Sequence, residues 1–214
     1  MEFLQAVWEY LIEPYSDVAT HFIILEMIAV VFGISSVYFA QKANIWVYPM
    51  GIISTLIYIY ITFVVGYIGD FTINIYYTIM SVYGWWVWSR ARDGKTLPIQ
   101  RAQKKDWSIT VAITLFTGAL VTTIYLYFDM LVTWQNYLDI FTTMIAYSSM
   151  YLMARKKLEN WIGWIIVDVV SVPLYLTKGL GFTALQFFVF LILAIQGYII
   201  WKRAVEKQKT EAPL

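Results

Sequence analysis

Trp161, Trp164, Asp168, Ser171 and Tyr175 recur at i, i+3, i+7, i+10 and i+14, so a helix would carry all five on one face. They lie in an apolar stretch, Trp161–Thr177, with Asp168 near its middle. An ionised carboxylate at that depth in hydrocarbon costs about 2.5–3.5 kcal/mol on insertion scales, so it must face a cavity or a partner. No Lys or Arg lies in any apolar stretch to serve as that partner. What remains is a cationic ligand or a proton. Trp164 and Tyr175 flank the carboxylate, and aromatic rings beside a charge suit a flat cationic heterocycle through stacking and cation–π attraction. The alternative is a protonated or helix-bonded aspartate that packs a bundle.

A second stripe joins Asn74, Tyr77, Ser81, Gly84 and Trp88 at the same spacing. Asn74 can read an amide, hydroxyl or ring nitrogen, or it can bond a neighbouring helix. The same pair of readings applies to Gln186. Gly51, Ser54, Tyr58 and Thr62 share a face on which small and hydroxyl residues favour close helix packing. Glu26 and Asp139, toward the ends of their apolar runs, fit either a gate or mouth for cations or polar capping at the membrane surface. Trp85, Trp86 and Trp88 fit an interfacial aromatic belt. His21 is the only histidine and there is no cysteine, so no metal cage can be drawn. There is no HxxxH, HExxH or paired-Asp motif, which argues against a membrane enzyme. No catalytic residue, metal or cofactor is expected.

These residues need elements to hold them, and composition supplies only one kind. Of 214 residues, 60% are hydrophobic and 14% charged, against about a quarter charged in soluble domains. Seven apolar runs recur: His21–Phe39, Trp46–Val65, Phe71–Trp88, Ile109–Phe128, Tyr137–Met153, Trp161–Thr177 and Phe182–Trp201. Each is near the length that crosses a bilayer, so the chain is expected to be an all-α polytopic membrane protein. Of its 15 Lys and Arg, all but Lys178 fall after runs one, three, five and seven. The positive-inside rule then places the N-terminus outside and the C-terminus in the cytoplasm. A near-zero net charge argues against a nucleic-acid partner. The first twenty residues have no basic n-region. They read as a short interfacial helix or a frayed tail.

The chain also nearly repeats itself 113 residues on: Glu26 and Asp139, Ser35–Ser36 and Ser148–Ser149, Tyr38 and Tyr151, Gly66 and Gly179, Gly84 and Gly197, Trp88 and Trp201, Arg90 and Arg203. Between them Trp46/Trp161 and Tyr60/Tyr175 pair at 115. Duplication in an apolar chain points to a transporter with its substrate between the repeats. One linking helix between two triplets gives both the same direction, so the repeats are parallel: a 3+1+3, SWEET-like arrangement. The expected layout is an N-terminal segment 1–20, a first repeat 21–90 and a basic loop 91–106. A linker helix 107–128, a second repeat 134–203 and a cytoplasmic tail 204–214 follow. The linker's Thr110, Thr114, Thr117, Thr122 and Thr123 can bond their own backbone.

Three stretches then carry a resemblance. They are Asn44–Ile45–Trp46 with Gly51–Ile52–Ile53–Ser54, Ser81–Val82–Tyr83–Gly84–Trp85, and Ala154–Arg155–Lys156–Lys157–Leu158–Glu159–Asn160–Trp161 through Asp168. Together they are similar to the PnuC-type vitamin transporters, over about Glu26 to Trp201. The resemblance implies a SWEET-like seven-helix fold, usually homotrimeric, in the bacterial plasma membrane. It implies facilitated diffusion of nicotinamide riboside, trapped by a cytosolic vitamin kinase, with thiamine or riboflavin carried by relatives. The family commonly has Gln at Asn74 and often Asn at Asp168; the carboxylate here favours a cation over neutral riboflavin. Expected substrate contacts are Asp168, Trp164, Trp161, Tyr175, Asn74, Tyr77 and Gln186. A non-transporting sensor or assembly subunit is the reading from another class.

Overall fold

The computed structural model describes residues 18–66, 68–90, 97–177 and 181–210. The expected N-terminal interfacial segment up to residue 17, Arg92, Lys95, Lys178 and Gly179 lie outside them. Among the described residues there are seven helices: α1 Thr20–Gln41, α2 Val47–Val65, α3 Ile68–Ser89, α4 Lys104–Tyr127, α5 Trp134–Ala154, α6 Asn160–Thr177 and α7 Gly181–Thr210. All seven apolar runs are helical. Two boundaries differ from expectation: α4 begins at Lys104, and α7 runs on through most of the expected tail to Thr210.

Five helices, α1, α2, α4, α6 and α7, are long and apolar enough to cross a membrane. Helices α3 and α5 have 22 and 21 residues, about 30 Å of rise, but their composition is more polar. The two pack against each other. Their Ser81, Thr142, Ser148 and Ser149 are buried, so the polarity that weakens the apolar signal is turned inward.

Each helix packs on its successor from α1 to α3 and from α4 to α7, and α1 packs on α7. Small residues make this close. Ser54 Oγ donates to the Ala29 carbonyl at 2.8 Å, and Ser36 Oγ to that of Val47 at 2.7 Å. Gly51 leaves room for Ser36, so the small-residue face of α2 is a packing surface. Thr110, Thr114 and Thr123 of α4 bond the carbonyls of Asp106, Thr110 and Ala119 within their own helix.

The turns after α1 and α5 share a bend: Ala43 and Lys156, 113 residues apart, have φ of 50° and 56°. Among the described residues, the second turn alone is sewn to α4 and the segment before it. Gln100 N–H donates to the Lys156 carbonyl, Leu158 N–H to that of Gln100, and Ala102 N–H to Glu159 Oε2 at 2.7 Å. Lys157 and Asp106 form a buried ion pair at 3.2 Å. Lys156 lies over the Trp88 ring at 4.4 Å, and burial pushes its ammonium down to about 8 from 10.5. Between those values the unfolded chain binds more protons than the folded one, so this lysine's contribution to stability rises with pH. Comparing wild type with Lys156→Met by thermal unfolding at pH 7 and pH 10 should show the gap moving in favour of wild type at the higher pH. A gap independent of pH would contradict this.

Candidate functional site

Asp168 is only 3% exposed, in the middle of α6. Among the described residues no hydrogen bond or ion pair reaches its carboxylate. Around it stand aromatic rings from four helices. Tyr77 of α3 is close enough to Asp168 for the carboxylate's charge to act on its hydroxyl, it lies near Tyr175, and its ring is 6.2 Å from that of Trp164. Tyr175 stacks on Phe187 of α7 at 5.1 Å and 11°. Tyr76 stacks on Tyr147 of α5 at 3.8 Å and donates its hydroxyl to the Tyr147 carbonyl. Asp168, Trp164, Tyr77 and Tyr175 therefore come together. A buried carboxylate without a protein cation, walled by rings, can accept a flat cationic group.

The other expected residues lie around this cluster. Asn74 is half-buried one turn from Tyr77–Thr78, and its Nδ2 donates to the Asp70 carbonyl at 2.7 Å. Part of its donor capacity is thus spent on its own helix. Gln186 lies near the Tyr58 hydroxyl of α2, which also feels the charge of Glu26. Gln186 Nε2 is 3.9 Å from where a Cβ on Gly33 would stand. Asp139 acts electrostatically on Tyr125 and Tyr175, as does Asp70. Glu26 and Asp139 thus both lie near tyrosines of the interior. Tyr147, Tyr76, Phe187 and Tyr58 were not singled out as site residues by sequence; they come from separate helices whose relative rotation no spacing reports.

Trp161 is in a different place. Four rings, all buried, run across the basic end of the bundle. Tyr48 meets Trp88 edge-on at 5.1 Å, Trp88 lies 6.1 Å from Trp201, and Trp201 meets Trp161 edge-on at 5.6 Å. Trp88 Nε1 donates to the carbonyl of Ala154, the last residue of α5. Trp201 Nε1 donates to those of Ala40 and Gln41, the last two residues of α1, at 3.1 and 3.0 Å. Trp88 of α3 is thus seated on the end of α5, and Trp201 of α7 on the end of α1.

Two expectations are corrected here. Trp85 and Trp86 are exposed as a belt requires, but Trp88 is buried because its indole N–H has this carbonyl to bond. And Trp161 matches Tyr48, not Trp46. Trp46 is 52% exposed, whereas Tyr48 fills the seat at Gly84 that Trp161 fills at Gly197.

A Cβ on Gly197 would stand 2.6 Å from Trp161 Cζ2. Gly197→Ala must therefore push a buried indole, at about 1–3 kcal/mol. Thermal unfolding in detergent should show the loss, and Gly84→Ala should show a similar one through Tyr48. An unshifted melting temperature in both variants would contradict the seating.

Seven long helices among the described residues, five of them apolar enough to cross a bilayer, with a buried carboxylate and aromatic rings between them, define a multi-pass membrane protein. Residues 23–203 match the family model described as nicotinamide mononucleotide transporter, and the chain belongs to that family. It is 21% identical over 216 residues to the nicotinamide riboside transporter PnuC of Escherichia coli, covering 88% of this chain and 89% of the relative. It is 24% identical over 198 residues to the PnuC of Neisseria mucosa, covering 86% and 73%. It is 23% identical over 185 residues to the riboflavin/roseoflavin transporter RibM of Streptomyces davaonensis, covering 85% of each. A crystal structure described as that of the vitamin B3 transporter PnuC aligns with TM-score 0.66 and 21% identity, over 96% of this chain and 88% of that one. The chain is thus a PnuC-type, multi-pass protein of the bacterial plasma membrane.

Proposed function

We propose that this protein imports a cationic, water-soluble vitamin, nicotinamide riboside first and thiamine second, by facilitated diffusion. The observation that carries the reading is the Asp168 carboxylate: buried at mid-helix, without a protein cation among the described residues, and walled by Trp164, Tyr77 and Tyr175. In this reading Asp168 offsets the charge of the pyridinium or thiazolium, and the rings stack on it. Asn74 and Gln186 bond its polar edge, and Glu26 and Asp139 draw cations to the outer mouth.

The architecture we infer is two parallel triplets, α1–α3 and α5–α7, joined by α4, with the N-terminus outside and the C-terminus in the cytoplasm. The reciprocal packing of α1 on α7 and of α3 on α5 supports it, as does the exchange of indole hydrogen bonds 113 residues apart. The four-ring stack is then the closed inner gate, with Trp161 a gate residue adjoining the pocket. Rocking of one triplet against the other opens it. A cytosolic kinase that phosphorylates the vitamin would make uptake net, and the family resemblance supports a homotrimer. RibM adds riboflavin as the third ligand to test.

Tryptophan fluorescence of the detergent-purified protein, titrated with each vitamin, tests the ligand. Entry of the bound one into proteoliposomes tests transport. Saturable quenching with a cation and entry down its gradient are expected. Binding without entry would favour a sensor, and uptake that follows a proton gradient would overturn facilitated diffusion.

A further inference from the structure

Between α4, α5 and α6 lies a crevice of about 290 Å³ that the vitamin reading does not use. Val111, Leu115, Ile145, Leu152, Ile162 and Ile166 supply the aliphatic part of its wall. The hydroxyls of its lining are satisfied by carbonyls of their own helices. Thr110 and Thr114 bond the carbonyls of Asp106 and Thr110, and Ser148 and Ser149 both bond that of Ile145 at 2.9 and 2.7 Å. Apart from Glu159 at its basic end, whose Oε2 accepts the Ala102 N–H, the surface offered is hydrocarbon, which gives a polar metabolite little to bond.

The basic end of the crevice is different. Lys104, Trp107, Val111 and Thr114 fall at i, i+3, i+7 and i+10, so Lys104 continues the crevice-facing stripe of α4 beyond Trp107. Lys104 and neighbouring Arg101 are exposed, and neither enters an ion pair among the described residues. The nearby acids are engaged: Glu159 accepts the Ala102 N–H, and Asp106 pairs with Lys157. An apolar slot ending at free cations, with an exposed tryptophan between them, has the polarity profile of a lipid at the membrane surface.

We propose that this crevice binds an anionic glycerophospholipid, one acyl chain lying along Val111 and Ile162 and the phosphate facing Lys104. The lipid would fill the gap between the linker helix and the triplet it packs on.

Native mass spectrometry of the full-length protein, with added phosphatidylglycerol or phosphatidylcholine, tests this. Wild type should retain phosphatidylglycerol preferentially. Lys104→Glu should lower that preference about tenfold while still holding phosphatidylcholine. Val111→Phe, which narrows the slot at an exposed position, should lose both lipids with little change in vitamin binding. Equal retention of both lipids by wild type and Lys104→Glu would overturn the proposal. So would a change of subunit number in Val111→Phe with lipid retention intact, since a second copy of the chain would then be the occupant.

Discussion

Asp168→Asn is expected to weaken nicotinamide riboside binding by about 30-fold or more, while the substrate-free protein becomes harder to unfold. The two effects have one cause. In the free protein the carboxylate is buried with no cation among the described residues to offset it, and a neutral amide of the same shape lifts that burden. In the complex the amide leaves the pyridinium charge buried without its counter-ion. Losing one partner of such a pair costs about 2–5 kcal/mol, and 2 kcal/mol is about 30-fold. Fluorescence titration and thermal unfolding of both proteins measure the two signs, with neutral riboflavin as the control. An unchanged dissociation constant for every cation would remove Asp168 from the pocket. A lower melting temperature would make it a structural residue.

The largest loss of stability is expected at a site far from that pocket. Asp106→Ala leaves the Lys157 ammonium buried with only Gln100 Oε1, at 3.1 Å, as a neutral acceptor. Removing one partner of a buried pair costs about 3–5 kcal/mol. Asp106 also caps α4, accepting the Gln103 N–H at 2.9 Å in a reciprocal capping box, which adds about 1 kcal/mol. The companion variant Lys157→Met with Asp106→Ala should recover much of this, because no charge is then left unpaired. A single Asp106→Ala that melts within a degree of wild type would contradict the clamp, as would a double variant no better than the single.

The helices were legible because a bilayer demands runs of near-constant length, and the chain has seven of them. The shared face of Trp161, Trp164, Asp168 and Tyr175 on α6 was legible because helical spacing is a local property. Its neighbours were not. Tyr147 and Phe187 reach the cluster from α5 and α7, and nothing in their own segments tells which way those helices are turned. The Trp46/Trp161 pairing failed because like was matched with like. The seat beside glycine asks for a large flat ring, which Tyr48 supplies in one half and Trp161 in the other. The stretch from Arg155 to Asn160 served as a family marker. Its work in the structure, holding the segment before α4 through Lys157 and Glu159, depends on partners 57 residues away along the chain.

The exchanged indole bonds also order the assembly of the molecule. Within α1 to α3 each helix packs on the next, and the same holds for α5 to α7, so each set can draw together from neighbours in the chain. The Trp88 bond reaches 66 residues forward, and the Trp201 bonds reach back 161 and 160. A chain made from its N-terminus completes local packing before such distant contacts can form. The carbonyls at the end of α1 thus wait until Trp201, some 160 residues later, has been synthesised. The four-ring stack at the basic end is finished by α7, the last of the described helices to emerge.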